Sequence, residues 1–269
     1  MIDLHCHMLP GVDDGPPDFA TSIAMARMAV ADGITHVACT PHVTPGVYDN
    51  SSATVLPLIR RLVEMLASED IELTLWMGAD VHVAPDLVAK LGAGEVPTLG
   101  GSRYFLLEPP HHVMPPRLDE LVSALIAAGF VPLVTHPERL GWIESHYEVI
   151  EAMVDNGALI QLTAASITGG FGRRAQYWSE RMLDEGMVDV IASDAHNTAG
   201  RPPVLSAAVN AIARRCGDDA AVEMVSGRPA AILRNEPLPR RQRPGPAQTT
   251  TRLRQEGSKL ASWVKRLRG

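Results

Sequence analysis

Apolar residues along the chain fall into short runs separated by longer amphipathic stretches. Runs at 2–6, 35–40, 72–81, 103–107, 130–135, 158–163 and 188–193 read as strands. The stretches between them read as helices, at about 18–32, 52–68, 85–91, 116–128, 145–156, 172–185 and 204–215. From Asp18 to Asp32, Phe19, Ile23, Ala26 and Val30 recur every three or four residues, and Gly33 ends the pattern. Ala127-Ala128-Gly129 gives the same stop before the run Phe130–Val134. Such βα repeats predict a parallel sheet, either closed as a barrel or left open and doubly wound. No GxGxxG or GxxxxGKS/T motif opens a helix, so the nucleotide-binding form of the open sheet has little support.

The polar residues that interrupt the pattern separate these architectures. His5 and His7 close the first run and Asp14 follows shortly after. His42 follows the second run, Asp80 the third, Glu108 the fourth, His136 the fifth, and Asp194 with His196 the seventh. The sixth supplies none. In a barrel every strand C-terminus converges on one mouth, whereas an open sheet would spread these residues along an edge. The expected fold is therefore a distorted (β/α)7 TIM-like barrel. Strand alternation puts His5 and His7 on one face, Asp194 and His196 likewise, and turns Cys6 away.

Nine nitrogen and oxygen donors without a thiolate suit two or three divalent ions. The carboxylate content leans toward Mn, with Fe or Zn as alternatives. Without cations, a mouth packed with imidazoles and carboxylates would be costly to desolvate. His111-His112 read as a loop beside the mouth, and His36 and His146 as surface residues. Trp142 and Tyr48 either line a groove or simply pack.

Charge alters this picture at one end. The 269 residues carry a net charge of −7, but residues 234–269 hold ten Lys/Arg against Glu236 and Glu256. An acidic body makes nucleic acid a poor partner. Pro237, Pro239, Pro244, Pro246 and Thr249–Thr251 mark a linker over 237–251 after a barrel domain of 1–236. In the basic tail, 252–269, Leu253, Leu260, Trp263, Val264 and Leu267 recur at helical spacing. That tail could lie on an anionic membrane surface, dock on the body or a partner, or fray in solvent. The three cysteines form no CxxC pattern, and neither a signal-peptide pattern nor a bilayer-spanning run is present. The expectation is a cytoplasmic protein, peripheral to the inner membrane face if the tail binds there.

The motifs Met1-Ile2-Asp3-Leu4-His5-Cys6-His7, Leu9-Pro10-Gly11-Val12-Asp13-Asp14-Gly15, Thr40-Pro41-His42, His136-Pro137-Glu138-Arg139 and Ser193-Asp194-Ala195-His196-Asn197 with Arg201 stand in order. In them the chain resembles the polymerase-and-histidinol-phosphatase (PHP) superfamily of metal-dependent phosphoesterases. Within it, the chain is similar to the bacterial tyrosine-protein phosphatases of capsular and exopolysaccharide synthesis. The resemblance covers roughly residues 1–233.

It implies a trinuclear site. His5, His7 and Asp194 would hold one ion, Glu108 and His136 a second, and Asp14, His42 and His196 a third, with position 80 bridging the first two. The family usually has Glu there, and this chain has the shorter Asp80; His82 on the same face could compensate. Arg139 and Arg201 match phosphate-contacting positions and are the expected substrate-binding and catalytic arginines. The implied substrate is phosphotyrosine, on a phosphorylated tyrosine kinase of polysaccharide assembly. The rivals are a small-molecule phosphatase of the histidinol-phosphate type and a metal-binding scaffold whose activity has decayed.

Overall fold

The structure, a computed structural model, describes residues 1–239. The expected tail, and the linker beyond residue 239, lie outside the described residues. The strands are β1 (Ile2–Cys6), β2 (His36–Cys39), β3 (His42–Val43), β4 (Thr74–Met77), β5 (Asp80–His82), β6 (Tyr104–Glu108), β7 (Val131–Thr135), β8 (Leu159–Thr163) and β9 (Val190–Ala192). All pair in parallel, as a three-stranded sheet β1-β2-β4 and a six-stranded sheet β3-β5-β6-β7-β8-β9.

One expected strand, the third, is broken in two, and the second is followed by a short further strand, β3, beyond its expected end. Thr40-Pro41 separates β2 from β3, where proline has no N–H to donate, and Gly78-Ala79 separates β4 from β5. Hydrogen bonds still cross the breaks, from Gly78 N to Cys39 O at 3.0 Å and from Asp80 N to Pro41 O at 3.1 Å. β2/β3 and β4/β5 therefore each occupy one strand position, and seven positions follow one another around the fold. The last meets the first outside the regular ladders. Asp194 N donates to His5 O and His7 N to Ala195 O, both at 2.8 Å, with a bridge between Cys6 and Ala195.

Side-chain alternation divides the interior. Leu4, Ala38, Tyr104, Leu106, Leu133 and Val190 cluster with Leu99 and with Ile232 and Leu233. Their neighbours Cys6, Val37, Cys39, Phe105, Leu107, Val134, Ile160, Leu162 and Ile191 belong to the larger layer under the helices. Cys6 thus faces away from the site, as alternation predicts. β1 departs from simple alternation, because its register against β2 shifts by one residue between Asp3 and Cys6. This bulge lets two consecutive side chains turn inward: Leu4 fills the interior and His5 reaches the mouth.

The covering helices are α1 (Phe19–Ala31), α2 (Ser52–Ser68), α3 (Leu87–Gly92), α4 (Leu118–Ala127), α5 (Tyr147–Asp155), α6 (Ala164–Ile167), α7 (Gly172–Asp184), α8 (Ser206–Cys216), α9 (Asp218–Val222) and α10 (Arg228–Leu233). The seven expected helices are present, with ends shifted by no more than two residues. Asp18 caps α1 by accepting from Thr21 N at 2.8 Å. The buried stripe of α1 is Ser22, Ile23, Met25, Ala26 and Ala29, and Val30 faces outward, so the stripe is rotated from the one its apolar spacing suggests.

α6, α9 and α10 are additions to the sequence reading. α10 closes the end of the barrel opposite the mouth. Arg228 donates to Asp189 at 2.6 Å, a buried pair, and Tyr104 Oη donates to Glu236 O at 2.7 Å. Residues 228–236 are thus bound into the barrel. Among the described residues no helix is long and apolar enough to cross a membrane.

Candidate metal centre

All nine expected donors meet at the C-terminal mouth. His5 Nε2 lies 3.1 Å from His7 Nε2 and 3.4 Å from both Asp80 Oδ2 and Asp194 Oδ1, and His7 Nε2 lies 3.5 Å from Asp194 Oδ1. Beside this group, Asp14 Oδ1 stands 3.2 Å from His196 Nε2 and 3.5 Å from His42 Nε2. Glu108 Oε1 lies 3.7 Å from His136 Nε2. His42 joins the groups, its Nδ1 being 3.4 Å from both Asp80 Oδ2 and Glu108 Oε2.

Local backbone explains two of the placements. His136 and Asp194 follow β7 and β9 with φ of 35° and 52°, a left-handed conformation that costs an ordinary residue free energy and tends to occur at functional sites. Each bends the chain as it leaves the strand. Gly15 is required by a close approach: a Cβ there would stand 2.8 Å from His7 O. Its N donates to Asp13 at 2.9 Å, forming the turn that presents Asp14.

The imidazoles are oriented from behind. His7 Nδ1 lies 2.7 Å from Asp13 Oδ2, His5 Nδ1 lies 2.9 Å from Gln161 Oε1, and His196 Nδ1 lies 3.0 Å from Asp194 O. Each ring therefore keeps Nε2 for the centre. Asp3, fully buried, accepts from Ser193 N at 3.0 Å and Ser193 Oγ at 2.5 Å, fastening β1 to the Asp194 turn. Sequence reading missed Asp13, Gln161 and Asp3. A signal for Gln161 was present: a polar residue inside the apolar run Leu159–Thr163, the run that supplies no donor of its own.

The charge state fits cations. Burial opposes charge on His5, yet Asp80 and Asp194 hold its pKa up at about 10. His42 is likewise opposed by burial and raised to about 9 by Glu108 and Asp80. Asp194 is held well below the carboxylate range, against burial, by His5, His7 and Arg201. Burial keeps His136 neutral, its pKa pushed well below the usual value. Asp80 Oδ2, His42 Nδ1 and His196 Nε2 are buried without a hydrogen-bond partner. Buried polar atoms normally have partners. Facing imidazole nitrogens and carboxylate oxygens lacking them form a donor set that fits divalent ions.

Arg139 Nη1 and Arg201 Nη2 both donate to Asp194 Oδ2, at 2.5 and 2.6 Å, while Asp194 Oδ1 faces His5 and His7. The Arg139 guanidinium also lies 4.3 Å above the Phe171 ring. Beside Arg201, Phe171, Ser193, Ala164, Ala165 and Ala207 line a hollow of about 200 Å³. Tyr48 stacks on His42 at 5.7 Å, so it belongs to the mouth. Trp142 is a packing residue, buried in the outer layer. His82 Nδ1 comes within 3.6 Å of Glu108 Oε2, and His111 also turns to the centre.

Fold and donor set together define a barrel protein with a cluster of candidate metal ligands at its mouth. Residues 1–234 match the model of the CpsB/CapC family of capsular polysaccharide synthesis, and the chain belongs to that family. It is 33% identical over 238 residues to the tyrosine-protein phosphatase YwqE of Bacillus subtilis, covering 88% of this chain and 93% of YwqE. It is 27% identical over 241 residues to the tyrosine-protein phosphatase CpsB of Streptococcus pneumoniae, covering 88% and 99%. A crystal structure from work on YwqE and CpsB, described as unique metal-dependent tyrosine phosphatases, superposes with a TM-score of 0.87 at 32% identity, covering 90% of this chain and 98% of that one. A Listeria monocytogenes lactonase, at 12% identity and TM-score 0.51, shares the fold alone.

Proposed function

We propose that the chain is a metal-dependent protein-tyrosine phosphatase. In this reading it hydrolyses phosphotyrosine on a bacterial tyrosine kinase that controls capsular or exopolysaccharide synthesis. The observation that carries it is the meeting of nine donors at one mouth with two arginines on the carboxylate of one of them. Bound divalent ions, Mn before Fe or Zn, would supply hydroxide near neutral pH and draw charge from the phosphoryl oxygens.

The chain does the rest. His5, His7 and Asp194 would hold one ion, Glu108 and His136 a second, and Asp14, His42 and His196 a third, with Asp80 between the first two. Arg139 and Arg201 keep donors beyond the ones spent on Asp194, and Arg201 Nε is buried with no hydrogen-bond partner. A guanidinium fork matches a phosphoryl oxyanion. The hollow beside it offers Phe171 and small apolar side chains to a phenyl ring. The phenol leaving group, with a pKa of about 10, needs little protonation to depart.

The hollow also bears on the small-molecule rival. Its lining contains a guanidinium and no carboxylate, which suits an aromatic ester better than a cationic amino alcohol. The test compares a phosphotyrosine peptide with histidinol phosphate, each with and without exhaustive chelation. Preference for the peptide, abolished by chelation and restored by Mn²⁺, is the expected result. Preference for histidinol phosphate, or activity indifferent to chelation, overturns the reading.

A further inference from the structure

We infer that His111 is a tenth metal ligand, completing the ion held by Glu108 and His136. The inference rests on the metal-centre reading above and goes beyond it. The nine expected donors do not divide evenly. His5, His7, Asp80 and Asp194 converge on one point, and Asp14, His42 and His196 on another with His7 close by. The third group is left with Glu108 Oε1 and His136 Nε2. Asp80 reaches this group only as a shared member: it stands with His42 and Glu108, while its Oδ2 also faces His5 and its Oδ1 accepts from Thr135. Two unshared protein donors make a weak site for a divalent ion, and three are usual at an open catalytic site.

His111 stands where that donor is needed. Its Nε2 is 3.5 Å from Glu108 Oε1, and its ring lies 4.9 Å from the His136 ring. Glu108, His111 and His136 each place a ligand atom within 4.8 Å of the others. The contact does not depend on a loose side chain, because the loop after β6 is fastened at two points. Gly141 N donates to His111 O at 2.7 Å, and Trp142 Nε1 donates to Pro110 O at 2.9 Å. A Cβ at position 141 would stand 3.1 Å from His111 O, so glycine there permits the approach. The residues that fix His111 follow directly on the His136–Arg139 turn, so one turn places both imidazoles of the group. The next residue, His112, is exposed and outside the group.

The test is Mn²⁺ binding to the ion-stripped full-length chain, read as free Mn²⁺ by electron paramagnetic resonance. The wild type, His111→Ala, His111→Gln and His112→Ala are compared. Both His111 variants should lose about tenfold or more in affinity for one ion, the scale expected for a disturbed ligand set. The remaining ions and the His112→Ala protein should be unchanged. His111→Asp, which restores an oxygen donor, should recover part of the loss. Melting temperatures of the ion-stripped proteins show whether a variant is folded, and the two His111 replacements guard against failure of one. Wild-type Mn²⁺ affinities in both His111 variants would overturn the inference while leaving the metal centre intact. A wild-type chain that binds no ion would overturn both.

Discussion

Asp13 Oδ2 lies 2.7 Å from Nδ1 of His7, and this pairing decides which nitrogen of the ring faces the centre. The same carboxylate oxygen accepts from His42 N at 3.1 Å, so one side chain outside the donor set steadies two members of it. Against burial, His7 and the amides of Gly15 and His42 hold Asp13 below the usual carboxylate range. Asp13→Ala should therefore lower ion affinity and turnover by about 10–100-fold with the fold intact. Atomic absorption on the desalted variant, alongside circular dichroism, checks both halves. Full ion content in a folded variant would show that His7 is oriented without Asp13.

The shared grip on Asp194 makes the two arginines partly redundant as supports, while the proposed function gives each its own contact to phosphate. Arg201→Ala should leave ion content near wild type, because Arg139 still holds Asp194 Oδ2. It should cut kcat/KM by about tenfold or more, through a lost charge-assisted contact. Arg201→Lys should recover only part of that, lacking the fork. A loss of ions equal to the loss of activity would make Arg201 a support for Asp194 alone.

Acid–base behaviour should invert on loading with ions. In the ion-free protein His5, held at about 10, and His42, held at about 9, lie above the ordinary imidazole value of 6.5. A raised pKa contributes stability below pH 6.5 that is lost as pH climbs through the folded value. The stripped protein should thus melt at progressively lower temperature between pH 7 and 10. Ion binding must displace these protons, so apparent Mn²⁺ affinity should rise over the same span. Parallel melting curves with chelator and with saturating Mn²⁺ would display opposite slopes. Equal slopes would place the raised imidazoles outside the ion sites.

Filling the hollow tests its role. Ala207 is exposed at the start of α8 on its rim. Ala207→Trp should raise KM for a phosphotyrosine peptide several-fold, while a small aliphatic phosphomonoester is hydrolysed as by wild type. Equal effects on both substrates would remove the hollow from substrate recognition.

Much of this was legible in the chain because a barrel converts strand ends into one ring. His42, Asp80 and Glu108 needed only their place at or after a strand end to be read as donors. His111 did not follow from periodicity, since it sits in a proline-rich loop whose path is set by Gly141 and Trp142, thirty or more residues later. Asp13 and Gln161 were hidden for a different reason. They touch donors rather than the centre, and hydrogen bonding between distant segments leaves no period in the sequence. The β1 bulge was invisible as well, because Leu4 and His5 read as ordinary alternation. α9 and α10 carry short apolar segments that propensity alone does not separate from a linker.

The seam between β1 and β9 has a consequence for assembly. Asp3 and Ser193 are 190 positions apart, yet they bond across it. An ion held by His5, His7 and Asp194 would cross-link the first strand to the last, as a disulfide closing a very long loop would. Such contacts form late in folding, after the entropy of closing the chain has been met. The centre would then be a clasp as well as a reaction site, complete only once the whole ring is synthesised. Stripping the ions should speed amide hydrogen exchange at Cys6, His7 and Asp194 more than in β6 and β7 on the far side of the barrel.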